Sequence, residues 1–433
     1  MRKQLQRAAW SLLCLGLICP IPLTATAQVQ TDFASWLNNL KQEARTRGIS
    51  QATLDAAFAD TRIQTRVIEL DRKQPEFVET FASYLAQRVT PQRIARGQAL
   101  LMQYQPLFDT LEQRHGIPRH ILAAFWGLET NYGTTTGNTA IPDALATLAF
   151  EGRRSAFFRA ELLDALSIIE AGHVAAADMK GSWAGAMGQM QFMPSTYRRY
   201  AVDGDRDGRI NLWSSVPDAL HSAGNYLNQA GWKPGEPVAL EVRLPQNFDW
   251  RVARLTYHRP IADWQAAGVM QANGAPIPTQ AGEAAIILPQ GFRGPAFMVF
   301  DNFDVILQWN RSVSYALSVA ILAQRFVADV PLLTGQGAER DALSRTRMIA
   351  LQQQLAELGF DAGVTDGVPG IKTQSAIRRY QSAQQLPADG YASPSLLAHV
   401  EASHASAAAA GKLAPDRNPP TFSDPALAAS TAP

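Results

Sequence analysis

The chain has 433 residues, with 39 Lys and Arg against 38 Asp and Glu, and it contains two cysteines. A formal net charge of +1 creates no general attraction for nucleic acid, so we do not expect a nucleic-acid-binding protein. The length allows more than one domain and a substantial apolar core.

The N-terminus has the pattern of a secretory signal. The basic residues of MRKQLQR lead into AAWSLLCLGLIC, an apolar stretch too short to span a bilayer comfortably. The small residues ATA end at position 27, so we predict a signal peptide over residues 1–27, which removes both cysteines. Ile18 stands before Cys19 where a lipoprotein signal needs a small residue. We therefore expect a periplasmic protein that is soluble rather than lipid-anchored, without a transmembrane anchor.

Residues 28–331, which we predict to form one domain, show three successive patterns of residue composition. From about residue 31 to 226 apolar residues recur at spacings of three and four, which predicts an all-α region. Between about residues 237 and 300, short β-branched runs separated by Pro, Gly and Asn predict a small β-rich insert. Helix returns in VILQWNRSVSYALSVAILAQRFVADV, whose apolar residues cover most of the helix circumference and predict a buried helix.

The segment GIPRHILAAFWGLETNYG contains the first candidate for chemistry. Leu122 and Phe125 precede Glu129 by seven and four residues, so a helix would turn the Glu129 carboxyl toward the core side. Burial disfavours the ionised form and raises the pKa of a carboxyl, which suits a general acid. The alternative is a glutamate near a helix end that bends out to solvent.

A second segment, GSWAGAMGQMQFMPSTYRRYAVDGDRDGRINLW, combines glycines, neutral polar side chains and aromatic rings. Glycines allow a bulky ligand to approach the backbone closely. Ser182, Gln189 and Gln191 offer neutral donors and acceptors among aromatic residues, a mixture suited to sugars, which present hydroxyls and apolar ring faces. Taken alone, such aromatic residues are more often part of a core than of a binding site.

Four motifs in order, WGLETNYG, SWAGAMGQMQFMPSTY, DGDRDGRINLW and QWNRSVSYA, resemble those of the B family of lytic murein transglycosylases. The resemblance covers nearly all of residues 31 to 330 and implies a mainly α fold: a lysozyme-like helical core, an extra helical lobe and a small β-rich lobe. It also implies cleavage of the β-1,4 bond between N-acetylmuramic acid and N-acetylglucosamine of peptidoglycan, which leaves 1,6-anhydro-muramoyl ends. Trp309 stands where the family often has tyrosine.

The implied mechanism needs one carboxyl, that of Glu129, whereas most glycoside hydrolases use two. Glu129 gives its proton to the leaving oxygen, and the substrate's 2-acetamido group stabilises the developing cation. The carboxylate then takes the proton of the muramoyl 6-hydroxyl as this attacks the anomeric carbon of its own sugar, so neither water nor a cofactor is required. By the matching motif positions, the implied substrate-binding residues are Ser182, Gln191, Asn310, Tyr315 and Tyr132.

The sequence DGDRDGRIN matches the first half of an EF-hand calcium loop, with alternating acids, a glycine at the sixth position and a carbonyl donor at the seventh. Ser214 replaces the glutamate expected at the twelfth position, and Asp218 is the nearest later acid. We predict a structural Ca²⁺ site, with a metal-free turn as the alternative. The predicted ligands are Asp203, Asp205, Asp207, Arg209 and Asp218.

The C-terminal part is predicted as a linker over residues 332–342, a compact unit over residues 343–400 and a disordered tail over residues 401–433. Leu351, Leu355 and Leu358 fall on one helical face. Through LQQQLAELGF, TDGVPGIKTQSAIRRYQ and LPADG the unit resembles the three-helix peptidoglycan-binding module, which would raise the local concentration of substrate. A helical spacer without a ligand is the alternative.

Other protein classes fit parts of the sequence. A zinc peptidase and a serine hydrolase lack their HExxH and GxSxG motifs here. A lysozyme-like muramidase that uses water would share Glu129 and the fold, and its reducing-end products would distinguish it. A non-enzymatic peptidoglycan-binding scaffold would bind without turnover. The expected partners are peptidoglycan glycan strands and wall-synthesis proteins that recruit the enzyme.

Overall fold

The computed structural model describes residues 23–72, 79–151, 154–278 and 282–413. Residues 1–22 of the predicted signal peptide and residues 414–433 of the predicted tail lie outside the described residues. Across the described ranges, no helix combines the length and the apolar character that a membrane crossing needs.

Helices dominate the chain up to residue 229. They are α1 (Leu23–Thr46), α2 (Gln51–Ala57), α3 (Thr65–Arg72), α4 (Phe81–Arg88), α5 (Pro91–Gln103), α6 (Gln105–His115), α7 (Arg119–Thr130), α8 (Ile141–Glu151), α9 (Ser155–Glu170), α10 (Pro194–Tyr200) and α11 (Val216–Gln229). Two short strands, β1 (Thr139–Ala140) and β2 (Lys180–Gly181), pair antiparallel between them. The predicted all-α character of this region is confirmed apart from that pair.

Local sequence signals set the ends of these helices. The Thr90 hydroxyl accepts a hydrogen bond from the Arg93 N–H, and Pro91 occupies the first turn of α5, where its missing N–H costs nothing. Gly116 ends α6 at φ +67°, a left-handed conformation that favours glycine. The next helix, α7, packs against α5, α6, α11 and a later helix, so it lies at the centre of the helical body.

The β-rich lobe follows. Its elements are β3 (Ala239–Arg243), β4 (His258–Pro260), α12 (Ile261–Ala266), β5 (Met270–Gln271), β6 (Glu283–Ile287) and β7 (Ala296–Val299). The sheet order is β4-β6-β7-β3-β5, and every neighbouring pair is antiparallel. These elements fall within the stretch whose composition predicts a β-rich insert, and the small β lobe of the predicted fold is confirmed.

Alternate residues of β6 and β7 belong to two separate cores. Those that pack into the helical body are Ala285, Ile287, Phe297 and Val299, and those that pack inside the β lobe are Ala284, Ile286, Ala296 and Met298. Both faces of the two strands are therefore buried. This explains the continuous apolar runs in their sequences, because a strand covered on both faces has no polar alternation.

The helical stretch after the sheet is two helices, α13 (Asp301–Trp309) and α14 (Val313–Val327), where the sequence predicts one. The interruption lies at Asn310, which is extended at φ −143° and ψ 116° and whose side chain accepts a hydrogen bond from the Ser312 N–H. The Ser312 hydroxyl in turn caps α14. Asn and Ser side chains compete for backbone hydrogen bonds in this way, which an apolar pattern does not reveal.

The C-terminal unit contains α15 (Arg345–Glu357), α16 (Ile371–Ala383) and α17 (Pro394–Ala409), which confirms the predicted three helices. Leu351, Leu355 and Tyr380 lie in its own apolar core. The prediction of disorder from residue 401 is wrong for the start of that range, since α17 continues to residue 409. The alanines that lower hydrophobicity there are also the strongest helix formers.

The predicted linker, residues 332–342, is bound to the β lobe by hydrogen bonds. The Glu241 carboxylate on β3 accepts hydrogen bonds from the N–H groups of Leu333 and Thr334 at 2.9 and 2.7 Å. The C-terminal unit adds a direct contact, because the Asp389 carboxylate accepts from the Phe292 N–H at 2.7 Å. The unit is thus docked on the β lobe.

Candidate active site

Glu129 lies in the last turn of α7, at the junction between the first two sequence motifs. Gln189 ties the motifs together: its side-chain oxygen accepts from the Trp126 indole N–H at 2.9 Å, and its carbonyl accepts from the Thr130 hydroxyl at 2.7 Å. Asn131 ends the helix in a left-handed conformation at φ 49°. The two residues that follow Glu129 are thus held in place, Thr130 by its hydrogen bond to Gln189 and Asn131 by the left-handed turn that ends the helix.

The Glu129 carboxyl receives two side-chain hydrogen bonds from the segment around α13 and α14. The Trp309 indole N–H donates to Oε1 at 2.8 Å, and the Tyr315 hydroxyl donates to the same oxygen at 2.5 Å. Oε2 accepts no hydrogen bond from the described residues and is not a fully buried atom. Oε1 is therefore held by two side chains, while Oε2 keeps some accessible surface.

Burial raises the pKa of Glu129 above the ordinary value of a glutamate, and this effect outweighs the hydrogen bonds from Tyr315 and Trp309, which lower it. The positive charge of Arg88 lowers it further. The carboxyl is turned inward and can hold a proton at higher pH than an exposed glutamate.

Aromatic rings surround the hydrogen-bonded side of Glu129. The Trp309 ring lies 4.7 Å from that of Phe125, 4.9 Å from Tyr226 and 5.3 Å from Phe192, measured between ring centroids. Phe125 is fully buried. The rings fix the indole so that its N–H points at the carboxyl. Sequence reasoning noted Trp309 only as a departure from the family pattern and missed this contact.

Ser182 and Gln191 lie in the glycine-rich loop that Gln189 attaches to α7. The Ser182 hydroxyl accepts from the Ala186 N–H at 3.0 Å and is partly exposed. Gln191 is held at φ 50°, and its amide N–H groups donate to the carbonyls of Gly188 and Thr136 at 3.0 and 3.1 Å. The next residue in this loop, Phe192, touches the Trp309 ring, so the loop borders the carboxyl.

Asn310 is exposed and directly follows Trp309 at the break between the two helices. Tyr315 is buried, with its hydroxyl on Glu129. The structure thus brings Glu129 together with Trp309 and Tyr315 and places Asn310 beside them. Only the spacing inside the motif QWNRSVSYA indicated this grouping in the sequence.

Tyr132 does not belong to this group, and its predicted role as a substrate-binding residue is not retained. Its side chain is 5% exposed, and its hydroxyl donates to the Arg93 carbonyl at 2.6 Å. Its ring packs edge-on against Trp126. A tyrosine that is buried and hydrogen-bonded to backbone joins α7 to α5 and presents no surface to a glycan.

Three acids of the predicted metal loop converge. Asp203, Asp205 and Asp218 place carboxylate oxygens within 4.8 Å of one another. Asp218 is buried in the first turn of α11, and its two oxygens accept from the N–H groups of Gly204 and Asn211 at 2.7 and 2.6 Å. This all-oxygen donor set fits the chemistry of Ca²⁺.

Asp207 lies outside this cluster, and its role as a ligand stays a prediction. One of its carboxylate oxygens accepts from the Arg209 N–H at 2.8 Å and closes a local turn. The alternation of acids in the sequence did not reveal this, because an acid in a turn can bond its own backbone as readily as a cation. A ligand role for the Arg209 carbonyl stays a prediction.

Comparison with known families gives two matches. The Transglycosylase SLT domain family matches residues 32–324, and the peptidoglycan binding domain family matches residues 344–400. Membrane-bound lytic murein transglycosylase B of Escherichia coli K12 is 34% identical over 254 residues, which is 56% of this chain and 66% of that protein. The chain thus spans just under two thirds of the length of this relative.

Solved structures of lytic transglycosylases are similar to this chain over most of their length. SltB3 from Pseudomonas aeruginosa, in complex with NAG-anhNAM-pentapeptide, is 44% identical with a TM-score of 0.81 over 85% of this chain and 99% of that chain. SltB1 from the same organism is 30% identical, with a TM-score of 0.60 over 68% and 98%. E. coli SLT35 in complex with calcium is 29% identical, with a TM-score of 0.59 over 69% and 93%. The chain therefore belongs to the SLT-domain lytic transglycosylases, an enzyme family, and its C-terminal unit belongs to the peptidoglycan binding domain family.

Proposed function

We propose that this protein cleaves peptidoglycan glycan strands between N-acetylmuramic acid and N-acetylglucosamine by non-hydrolytic transfer, with Glu129 as both acid and base. One observation carries the proposal. Both hydrogen bonds to Glu129 end on Oε1, so the proton of the acid form belongs on Oε2, the oxygen that keeps some accessible surface. A proton held there can pass to the leaving glycosidic oxygen.

The same contacts serve the second half of the reaction. Once Glu129 has given up its proton, the hydrogen bonds from Trp309 and Tyr315 stabilise the carboxylate. The carboxylate then accepts the proton of the muramoyl 6-hydroxyl, which attacks the anomeric carbon within the same sugar. The product is a 1,6-anhydro-muramoyl end.

Among the described residues no second carboxyl shares a hydrogen bond with Glu129, which fits this intramolecular route. Hydrolases with two carboxylates use the second as nucleophile or as base for water. Here the substrate's own 2-acetamido group would stabilise the developing cation. Ser182, Gln191 and Asn310 are the candidates that hold this group and its sugar, since all three are polar, incompletely buried and close in sequence to residues of the Glu129 site.

The ligands of related structures support peptidoglycan as the proposed substrate. SltB3 has been solved with NAG-anhNAM-pentapeptide, which is an anhydro sugar with a peptide, and with NAG-NAM-pentapeptide. The C-terminal unit would bind the wall and increase the local concentration of strands. We further propose an exported, periplasmic location, based on the pattern of the first 27 residues, and recruitment by wall-synthesis proteins.

A structural Ca²⁺ held by Asp203, Asp205 and Asp218 would neutralise three converging acids and fix the loop before α11. E. coli SLT35 has been solved in complex with calcium. No catalytic step passes through this loop. The reaction itself needs no cofactor in the proposed mechanism.

Mass spectrometry of the fragments released from purified peptidoglycan tests the function. We expect anhydro-muropeptides from the wild-type protein and none from Glu129→Gln, which keeps the shape of the side chain and removes its titrating proton. Reducing ends from the wild type would instead identify a muramidase that uses water. Binding without release of fragments by either protein would identify a scaffold.

A further inference from the structure

Arg88 belongs to a helix that packs against α14, the helix of Tyr315, and it has no role in the mechanism above. It ends α4, and its guanidinium lies over the Tyr84 ring at 5.0 Å from the centroid. The Arg88 side chain is exposed, whereas Tyr84 is half-buried against the helical core. The aromatic ring therefore supports the cation from below and leaves its N–H groups accessible.

Two series of contacts connect Arg88 with Glu129. Helix α4 packs against α14, whose Tyr315 hydroxyl donates to Glu129. On the other side, the Arg88 carbonyl accepts from the Arg93 guanidinium, and the Arg93 carbonyl accepts from the Tyr132 hydroxyl, three residues beyond Glu129. The positive charge of Arg88 is also near enough to lower the pKa of Glu129.

Arg88 has no acidic partner among the described residues, because no described carboxylate forms an ion pair with it. Some exposed arginines elsewhere form such pairs, for example Arg154 with Asp71 at 2.9 Å. An exposed guanidinium without an ion pair, on a helix that packs against the helix of Tyr315, is suited to a planar anion such as a carboxylate, which it can bind with two parallel hydrogen bonds.

We propose that Arg88 binds a carboxylate of the peptide stem on the muramoyl residue that is being cleaved. This inference rests on the proposed function, because it assumes a muramoyl sugar at Glu129. A peptide stem leaves that sugar through its lactyl ether, on the ring whose glycosidic bond Glu129 would cleave, and carries free carboxylates. Arg88 is thereby a specificity-determining residue that favours peptide-bearing strands over bare glycan.

The alternative role of Arg88 is to tune Glu129 alone. The two roles predict different substrate dependence. A tuning charge acts on every substrate, and its removal would move the pH profile equally with or without peptide. A carboxylate-binding residue matters only when the stem is present, so its removal changes the ratio between the two substrates.

The experiment compares the rates of formation of anhydro ends from intact strands and from strands whose stems an amidase has removed. For the wild type we expect the higher kcat/KM on intact strands. Arg88→Gln should lose about tenfold on intact strands, the loss of one charged hydrogen-bonded pair, and much less on bare strands. Arg88→Lys should recover part of the difference, because it keeps the charge without the planar fork.

Arg96→Gln on α5 is the matched control, since Arg96 is also exposed, lies on a different helix and loses the same charge on substitution. It should behave as the wild type. Equal losses on the two substrates with Arg88→Gln, or the same ratio change with Arg96→Gln, would overturn the inference. A wild type that makes no anhydro ends on either substrate would instead refute the proposed function.

Discussion

Two groups of acidic residues in this protein have opposite surroundings. At Glu129 a single carboxyl is bonded by an indole and a phenol on one oxygen, among aromatic rings, and its second oxygen keeps some accessible surface. In the loop before α11 three carboxylates converge, and backbone N–H groups donate to both oxygens of Asp203 and of Asp218. The first arrangement leaves a position for a mobile proton, and the second leaves negative charge for a cation.

This comparison indicates that the kind of hydrogen-bond donor around a carboxyl, side chain or backbone, determines whether the carboxyl serves catalysis or stability. Side-chain donors at Glu129 come from α13 and α14, far along the chain, so a substitution can remove them singly. Backbone donors in the acidic loop come from the loop itself, so the acids and the loop conformation depend on each other. Substitutions at Glu129 should therefore affect rate, and substitutions in the loop should affect stability.

The largest difference in rate should be found between a variant that lacks the Glu129 carboxyl and a variant that lacks one carboxylate of the acidic loop. Glu129→Gln should lower the rate of anhydro-end formation by about 10³-fold, because it eliminates the general acid and base. Asp203→Asn, a change of the same size, should leave the rate within about twofold at a temperature where both proteins are folded. Initial rates on purified peptidoglycan test this, and a comparable loss in both variants would contradict the division of roles.

Removal of the Tyr315 hydroxyl should change both the rate and the pH dependence that Glu129 determines. In Tyr315→Phe we expect the rate to fall by about tenfold or more, because the carboxylate formed in the first step loses a hydrogen bond. That bond lowers the pKa of Glu129, so its loss raises the pKa, and the acid form persists to higher pH. The alkaline limb of kcat should shift upward.

The control is Tyr257→Phe in the β lobe, which removes the hydroxyl of a tyrosine that packs in a different core. Its pH profile should match that of the wild type. A downward shift of the alkaline limb in Tyr315→Phe would mean that the phenol favours the protonated form.

Trp309 should give a smaller effect of the same kind. Trp309→Phe keeps an aromatic ring and loses the N–H that donates to Glu129, so we expect a loss of up to about tenfold in kcat. Trp309→Tyr, the residue that the family often has here, offers a hydroxyl and should retain more activity. Steady-state kinetics with thermal unfolding as a control for folding distinguishes lost chemistry from lost packing.

Asp218 should give the smallest effect on rate and a clear effect on stability. Asp218→Asn replaces an oxygen that accepts backbone hydrogen bonds by an amide donor, which should cost about 2 kcal/mol of unfolding free energy. Added Ca²⁺ should raise the melting temperature of the wild type and much less that of the variant. An unchanged wild-type melting temperature at millimolar Ca²⁺ would favour the metal-free turn.

Much of the fold was accessible from the sequence because it follows from local patterns. Periodic apolar residues predict α7 and its inward Glu129, and glycine and aspartate predict the acidic loop and the later Asp218. The apolar runs of the β lobe predict strands. Each of these signals lies within a few residues of the feature it predicts.

The features that the sequence analysis missed or misjudged do not follow from local patterns. The contact between Trp309 and Glu129 joins residues 180 positions apart, and no local pattern specifies it. Tyr132 follows the first motif closely, yet its turn at φ 61° directs the ring into the core. Arg88 lies outside every motif, and only the packing of α4 against α14 brings it to the site.

Because both faces of β6 and β7 are apolar, the chain must distinguish the native register of the sheet from a one-residue slip when it folds. A slip of β6 by one residue would exchange its two faces, and each face would again receive one alanine and one isoleucine, so β6 alone barely opposes the error. The next strand resists a slip of its own, because a one-residue shift of β7 would replace Phe297, which meets the Phe81 ring edge-on at 5.8 Å, by the smaller Met298 of the other core. One aromatic contact between a strand and α4 thus discriminates the native alignment from its nearest competitor.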